Sequence, residues 1–338
     1  MRTPPLLILL IVVIAAAVTG AQSQEGFRFK SGVEFVNVTA TVTDGNGRFV
    51  SGLRQEDFTV YEDGQVQDVS NFSADRVPVS LGIALDCSGS MTAEKVETAR
   101  AAIERLINKL LDEDDELFFM EFATRARLIQ GWTTDRRLIS DALRRVAPVG
   151  GTALYDAVAE ALPTAEEGRN RKKALLVISD GNDTNSSIGV TSLRQRIRES
   201  EVLVYALGVD SNSKDAPRIL QPVPPTIPFP FPGGGRRQPR FPPIGGGSGG
   251  SSWPRSPGER VNAEALRQIT DDTGGRTEIV RGFDGLDDAT ARIADELSKQ
   301  YFLGYTSSVN KDGRWHSIRV TVRDRNLNVR ARKGYVAS

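Results

Sequence analysis

Short apolar runs alternate with amphipathic segments along the middle of the chain. The apolar runs have the length of buried strands, and the segments between them have the period of helices. Strands are predicted at 79–85, 116–122, 125–130, 173–179, 202–208 and 276–280, and helices at 93–111, 135–146, 153–166, 190–200, 262–273 and 286–300. This alternation predicts an α/β fold with a doubly wound, mostly parallel sheet. The second and third strands are joined too tightly for a crossover helix, so we expect this pair to be antiparallel.

The segments on either side of this region have the two-residue period of strands. Apolar and polar positions alternate at 36–42 and again at 316–322, and the Asp-Gly sequence within 62–64 indicates a hairpin turn. Residues 27–75 and residues 301–338 each contain too few strands to form a stable sandwich alone. We therefore predict that the N- and C-terminal segments pair with each other in one small β-sandwich.

Two other segments follow neither pattern. Residues 1–21 combine a basic residue, an apolar stretch and small residues at the end, which predicts a secretory signal peptide. An uncleaved anchor is the alternative, although the stretch is short for a membrane span. Residues 211–260 are rich in Pro and Gly, so we expect a disordered insertion, with a polyproline II ligand as an alternative role for part of it. The α/β domain then covers 78–300, and export to the periplasm or the extracellular space is expected.

The composition of the chain argues against several kinds of partner and structural feature. The 338 residues include 43 basic and 43 acidic side chains, which argues against nucleic acid as a partner. Cys87 is the one cysteine, so an intrachain disulfide is excluded, and its expected role is that of a small buried apolar residue. Beyond the first 21 residues no apolar run is long enough to cross a bilayer, so no stable span is expected in the mature chain. The acidic run at 112–116 is interpreted as a solvated loop.

Three predicted loops carry side-chain oxygens at the ends of strands. Asp86, Ser88 and Ser90 follow one apolar run. Thr152 follows two glycines just before a predicted helix, and Asp180 lies between a serine and a glycine after another apolar run. Ligands of open parallel sheets bind beyond the carboxyl ends of the strands, and hydroxyl and carboxylate oxygens select hard cations such as Mg²⁺. The alternative interpretation is that these residues are ordinary turns and caps.

The motifs Asp-x-Ser-x-Ser, Gly-Gly-Thr and Ser-Asp-Gly, in this order, resemble the metal-ion-dependent adhesion site of von Willebrand factor type A domains. The resemblance implies that Ser88, Ser90 and Thr152 bind the cation through their hydroxyls. It also implies that Asp86 and Asp180 bind as carboxylates, directly or through water. The expected cation is Mg²⁺, with Mn²⁺ or Ca²⁺ as alternatives, and a partner protein is expected to present an Asp or Glu to it.

The layout also resembles a narrower group, the secreted bacterial proteins with a VWFA-related domain. This resemblance rests on sequences around the α/β region: Asp57-Phe58, Glu62-Asp63-Gly64, Tyr301, Gly304-Tyr305 and 330–335. It implies an exported, non-enzymatic adhesion or interaction module. A structural or assembly scaffold, in which the metal serves stability only, is the alternative.

A hydrolase is the third class of function. It needs a nucleophile, a base and an orienting acid. The one histidine, His316, lies far along the chain from Ser88, and the sequence around Ser88 is not Gly-x-Ser-x-Gly. The expectation is therefore that the protein is not an enzyme and that His316 is a surface residue of a strand.

Overall fold

The computed structural model describes residues 34–210, 261–281, 284–309 and 311–337. The predicted signal peptide and the predicted insertion both lie outside the described residues. In chain order the strands are β1 Glu34–Thr43, β2 Phe58–Glu62, β3 Gln65–Gln67, β4 Val69–Ser73, β5 Val79–Asp86, β6 Glu116–Phe122, β7 Ala126–Thr133, β8 Lys172–Ser179, β9 Leu203–Asp210, β10 Thr277–Arg281, β11 Tyr301–Ser307, β12 Trp315–Val322, β13 Asn328–Ala331 and β14 Gly334–Val336. The α-helices are α1 Ala93–Arg105, α2 Arg136–Leu143, α3 Leu154–Glu166, α4 Val190–Glu199, α5 Ala263–Thr270 and α6 Asp284–Lys299.

The central sheet has six strands in the order β10-β9-β8-β5-β6-β7. Its neighbours are parallel except for β6 and β7, which are antiparallel as predicted. One face carries a core with α1, α2 and α6, including Ile139 and Ile293. The other face carries a core with α3, α4 and α5, including Val158 and Leu193. Because β5 has β6 on one side and β8 on the other, the strand order reverses there, and a crevice is expected beyond the ends of β5 and β8.

Two antiparallel sheets are built from the two ends of the described chain. Their strand orders are β13-β1-β11-β4 and β14-β12-β2-β3. Each sheet joins a strand from before the central sheet to one from after it, since β1 pairs with β11 and β2 pairs with β12. Val38, Val60, Leu303 and Tyr305 lie in their shared core. The predicted fold class, a doubly wound sheet with a sandwich from both terminal segments, is confirmed.

The turn between β2 and β3 has the predicted Asp-Gly sequence. Asp63 and Gly64 both have positive φ, at 48° and 83°. Two-residue hairpins need this left-handed backbone, because it matches the twist of the strands, and Asp and Gly adopt it at the lowest cost. The turn fixes the pairing of Glu62 with Gln65.

Glu296 of α6 joins the sandwich to the central sheet. Its side chain is fully buried, and Oε1 accepts hydrogen bonds from Thr41 of β1 at 3.1 Å and from the Tyr205 hydroxyl of β9 at 3.0 Å. Arg330 of β13 pairs with the same carboxylate, and Arg276 lies 3.2 Å away through Nε. A buried carboxylate with these partners fixes three elements against one another.

Two expectations about polar residues are wrong. His316 is buried, at 7% exposure, because it lies on the same face of β12 as Ile318 and Val320. The acidic run is not a solvated loop throughout, since Asp115 is fully buried and Glu116 nearly so. Asp115 accepts hydrogen bonds from the backbone amides of 79 and 112, both at 2.9 Å, which explains why its charge is tolerated there.

A search of the described residues finds no helix with the length and apolar character needed to cross a membrane.

Candidate metal site at the carboxyl edge of the central sheet

The loop after β5 presents the first three predicted ligands. Asp86 is the last residue of the strand, and its Oδ1 accepts a hydrogen bond from the Ser88 amide at 2.8 Å. The Ser88 and Ser90 hydroxyls lie 3.0 Å apart. Thr92 then caps α1 by accepting from the amide of Lys95. The local sequence therefore turns two serine hydroxyls toward each other directly beside a buried carboxylate.

The second loop reaches this position through its two glycines. Gly150 has φ +82°, a conformation that disfavours residues with a side chain. Its carbonyl accepts a hydrogen bond from the Gly89 amide at 2.8 Å, which ties the loop to the first one. At Gly151 a side chain would collide with the amide oxygen of Asn185. The glycines are thus required by geometry, and they bring Thr152 to the edge of the sheet, buried at 3% exposure.

The third loop follows β8. Ser179 donates a hydrogen bond from its hydroxyl to Asp86 Oδ2 at 2.6 Å and accepts one from the Gly181 amide at 2.9 Å. Gly181 has φ +77°, and a side chain there would meet the carbonyl oxygen of Asn262 at 2.7 Å. Asp180, between them, is buried at 3% exposure. One serine hydroxyl therefore orients Asp86 and shapes the turn that carries Asp180.

Hydrogen bonds also tie Thr152 to the loop after Asp180. Its amide donates to the Thr184 hydroxyl at 3.0 Å, and its carbonyl accepts from the amides of Thr184 and Asn185 at 2.8 and 2.9 Å. Asp183 caps the N-terminus of α3 by accepting from the amide of Leu154 at 2.9 Å. The structure thus brings all five predicted ligand residues to one edge, at the ends of β5 and β8 and the start of α3.

Electrostatics at this edge favour a cation. Burial raises the pKa of Asp86 to about 6, and the nearby charge of Asp180 also raises it. Within the described part of the chain, neither the Thr152 hydroxyl nor Asp180 Oδ2 makes a hydrogen bond, although both residues are buried. The ammonium of Lys95 binds the Ser90 carbonyl at 3.1 Å. Two carboxylates and three hydroxyls, of which one oxygen each on Asp180 and Thr152 has no donor among the described residues, fit a hard cation bound by oxygen.

The described residues give less support to a metal site built from His, Cys and several carboxylates. They contain no group of three or more His, Cys, Asp or Glu side chains arranged to hold a metal ion. Only two of the five candidate ligands at this edge offer carboxylates, and the other three offer hydroxyls. Cys87 turns away from the hydroxyls into the core, at 2% exposure, and its Sγ donates to the Leu85 carbonyl. Burial raises the pKa of this thiol, so it is an apolar core residue, as expected.

Three supporting residues were not assigned a role from the sequence. Ser179 orients Asp86, Asp183 caps α3, and Thr184 holds Thr152. Ser179 lies within a recognised motif, but an isolated serine there has no distinctive spacing. The contacts of Asp183 and Thr184 join positions about 30 residues apart in sequence, so local pattern does not predict them.

Comparison with known proteins finds a family match for the central region. A family model described as von Willebrand factor type A domain matches residues 81–182, a range that includes all five predicted ligands. The predicted relationship to that family is confirmed for this part of the chain. An uncharacterized protein of Synechocystis sp. is 31% identical over 137 residues, which is 39% of this chain and 32% of that relative. The chain thus matches about a third of the length of this curated relative.

Solved structures with low sequence identity are also similar. BatB of Bacteroides thetaiotaomicron is 23% identical, with 65% of this chain and 98% of that chain covered and a TM-score of 0.45. A von Willebrand factor type A protein of Catenulispora acidiphila is 14% identical over 91% of this chain and 75% of its own, with a TM-score of 0.47. Proximal thread matrix protein 1 of the mussel byssus, solved with a zinc-occupied MIDAS motif, is 15% identical over 71% and 50%, with a TM-score of 0.47.

Proposed function

We propose that this protein is an exported, metal-dependent protein-interaction module. Asp86, Ser88, Ser90, Thr152 and Asp180 would hold a divalent cation, with Mg²⁺ as the cation of choice. The observation that carries the proposal is a buried carboxylate pair beside Thr152, a buried residue whose hydroxyl has no hydrogen-bond partner within the described residues. Hydroxyl and carboxylate oxygens gathered in this way are the ligands that a hard cation such as Mg²⁺ prefers.

The chain's own residues prepare the site before a partner arrives. Ser179 and the Ser88 amide fix both oxygens of Asp86, so the carboxylate is oriented in advance. Gly150 and Thr184 fix the loop of Thr152 against its neighbours. A bound divalent cation would supply an electrophilic position for a carboxylate of the partner. A shell of mainly neutral hydroxyls leaves more of the cation's charge available to that carboxylate than an all-carboxylate shell would.

A binding role without catalysis fits the position of the histidine. Both ring nitrogens of His316 are engaged, with Asp63 at 2.7 Å and Asp312 at 3.1 Å. Its strand belongs to the sandwich, whereas Ser88 lies at the edge of the central sheet. These contacts leave His316 without a free nitrogen to act as a base for Ser88.

Binding to carboxylate probes in the presence and absence of Mg²⁺ tests this function. The intact protein is exposed to arrayed peptides that contain Asp or Glu, next to peptides with Asn or Gln at the same positions. We expect capture of acidic peptides that requires Mg²⁺ and is abolished by EDTA. Ser90→Ala removes a half-buried hydroxyl of the site and should abolish capture, whereas Ser140→Ala removes a half-buried hydroxyl on α2 and should not.

Two results would reject the interaction module. Peptide capture that is unchanged by EDTA, or that is retained in Ser90→Ala, would mean that the cation does not mediate binding. Thermal stabilisation by Mg²⁺ with no capture of any acidic peptide would favour the alternative, a scaffold whose metal serves stability only.

A further inference from the structure

A second concave site lies where the sandwich meets the opposite edge of the central sheet. The cleft has a volume of about 530 Å³, which is within the range of small-ligand pockets. Its lining includes Phe35 and Asn37 of β1, Asn71 of β4, and Arg169, Arg171 and Lys173 at the start of β8. Lys173 is the second residue of β8, so the cleft is at the amino edge of the sheet, remote from the candidate metal ligands at its carboxyl edge.

Positive charge predominates in this cleft. Arg171 is exposed and forms no ion pair within the described residues. The ammonium of Lys173 donates to the Glu166 carbonyl and also interacts with the charge of the Glu166 carboxylate. Arg169 forms an ion pair with Glu116 at 3.4 Å, which leaves Arg171 as a cation of the lining that has no ion pair within the described residues. The one acidic residue of the lining, Glu201, is paired with Arg332 at 3.3 Å. A concave surface with several cations and a neutralised carboxylate attracts anions.

The other groups in the cleft suit a polar ligand with an apolar face. The amide groups of Asn37 and Asn71 are half-buried and make no hydrogen bonds to the described residues, so they are available to a ligand. Phe35 is 45% exposed, and the end of its ring lies over Gly304, where a Cβ would approach the ring at 2.5 Å. Gly304 thus makes room for an aromatic ring at the mouth of a polar cleft. Free amides beside an exposed ring are the groups that contact hydroxyls and C–H faces of sugars.

We propose that this cleft binds an acidic saccharide, with a carboxylate of the sugar on Arg171. An acidic peptide would also match the charge, but the cleft offers one aromatic side chain and no deep apolar pocket for peptide side chains. The planar guanidinium of Arg171 can bind a carboxylate through two parallel hydrogen bonds. The saccharide would lie with its hydroxyls on Asn37 and Asn71 and its C–H face on Phe35.

Calorimetric titration of the intact protein with digalacturonic acid tests the proposal. We expect binding that weakens as salt is raised, that is about tenfold weaker in Arg171→Ala, and that is also weaker in Phe35→Ala. Arg145→Ala removes an exposed arginine after α2 and should leave the affinity unchanged. Both cleft residues are exposed, so their variants should unfold at the same temperature as the wild type.

Several outcomes of these titrations would overturn the proposal. No binding of digalacturonic acid, or equal binding by Arg171→Ala, would reject the site. A tetraglutamate peptide that binds more tightly would assign the cleft to acidic peptides, and equal binding of inorganic phosphate would reduce it to a simple anion site. Titrations in EDTA separate this proposal from the metal proposal, because binding in the cleft should persist there and in Ser90→Ala.

Discussion

Ser179 shows how a single hydroxyl organises the candidate metal site. It donates to Asp86 Oδ2 at 2.6 Å and accepts from the Gly181 amide, so it connects the first carboxylate to the loop of the second. Without it, a fully buried carboxylate oxygen would lose its donor. Buried polar groups that lose a partner pay their full desolvation cost.

We predict that Ser179→Ala lowers the free energy of unfolding by about 1–3 kcal/mol, because it leaves Asp86 Oδ2 and the Gly181 amide unpaired. Chemical denaturation of the wild type and the variant in EDTA measures this effect. The exposed Ser51→Ala serves as a control, with an expected change within about 0.5 kcal/mol. Equal free energies of unfolding for Ser179→Ala and the wild type would show that the hydrogen bond to Asp86 does not stabilise the fold.

His316 provides a pH-dependent contribution to stability. Burial opposes its charged form, but the carboxylates of Asp63 and Asp312 outweigh burial and raise its pKa above the ordinary value of 6.5. A raised pKa contributes stability that is fully present below the unfolded pKa and is lost as pH rises through the folded pKa. The hydrogen bond from His316 in turn lowers the pKa of Asp63.

We predict that the advantage of the wild type over His316→Gln in melting temperature is larger at about pH 5.5 than at about pH 9. Thermal denaturation followed by circular dichroism at both values measures it. An advantage that is constant, or that grows with pH, would mean that the charged imidazole does not stabilise the turn between Asp63 and β12.

At the residue scale, the sequence predicts residues that belong to local motifs, but not contacts between residues that are distant in sequence. The five candidate ligands can be found because their motifs combine oxygen ligands with glycines at fixed spacing. The burial of His316 was predictable in principle, since strict alternation places it with Ile318 and Val320. The hydrogen-bond partners of Asp115 could not be predicted, because Val79 lies 36 residues away in sequence and contacts Asp115 only in the folded sheet.

At the scale of elements, Lys172 links β8 to the end of α6. Its ammonium donates to the Leu297 carbonyl at 2.8 Å, and the side chain is nearly fully buried. Burial lowers its pKa to about 8, well below the usual 10.5. In the window between these values the unfolded chain binds the proton and the folded chain does not, so stability rises with pH there.

We predict that the stability of the wild type relative to Lys172→Met increases by up to about 3 kcal/mol from pH 8 to pH 10.5. Methionine keeps the apolar stem and removes the titrating group. Urea denaturation of both proteins across this range gives the difference directly. A difference that stays flat would show that Lys172 remains charged and solvated in the folded protein.

Element boundaries were predicted well where the pattern is long. The six central strands and five of the six helices are found within a few residues of the predicted ranges, because apolar runs and amphipathic periods are strong local signals. The helix predicted at 93–111 is α-helical only to Arg105 and continues as a π-helix at Leu106–Leu110. The three short strands β3, β4 and β14 were not predicted. They have three to five residues with mixed polarity, and pairing with β2, β11 and β12 defines them.

At the scale of the whole molecule, Glu296 makes the sandwich and the central sheet one folding unit. Its carboxylate contacts β1, β9 and β13, which belong to two different sheets. Removing one member of a buried charged network leaves the others without partners and is strongly destabilising. The partners Arg276 and Arg330 retain some solvent exposure, which moderates the loss.

We predict that Glu296→Gln lowers the free energy of unfolding by about 3 kcal/mol and that unfolding remains a single transition. Far-UV and near-UV circular dichroism during denaturation measure both properties. Glu160→Gln, an exposed change on α3, should be neutral. Two separate transitions in the wild type would contradict the claim that the sandwich and the central sheet unfold together.

The central claim concerns the cation, and Thr152 offers the most direct test of it. Valine has the shape of threonine without the hydroxyl, and the hydroxyl of this buried residue makes no hydrogen bond to the described residues. Thr152→Val should therefore leave the fold intact. Calorimetric titration of the wild type and Thr152→Val with Mg²⁺ is the decisive measurement. We expect Mg²⁺ to bind the wild type, and to bind the variant about tenfold or more weakly. Equal affinity in the two proteins, or no binding by the wild type, would contradict it.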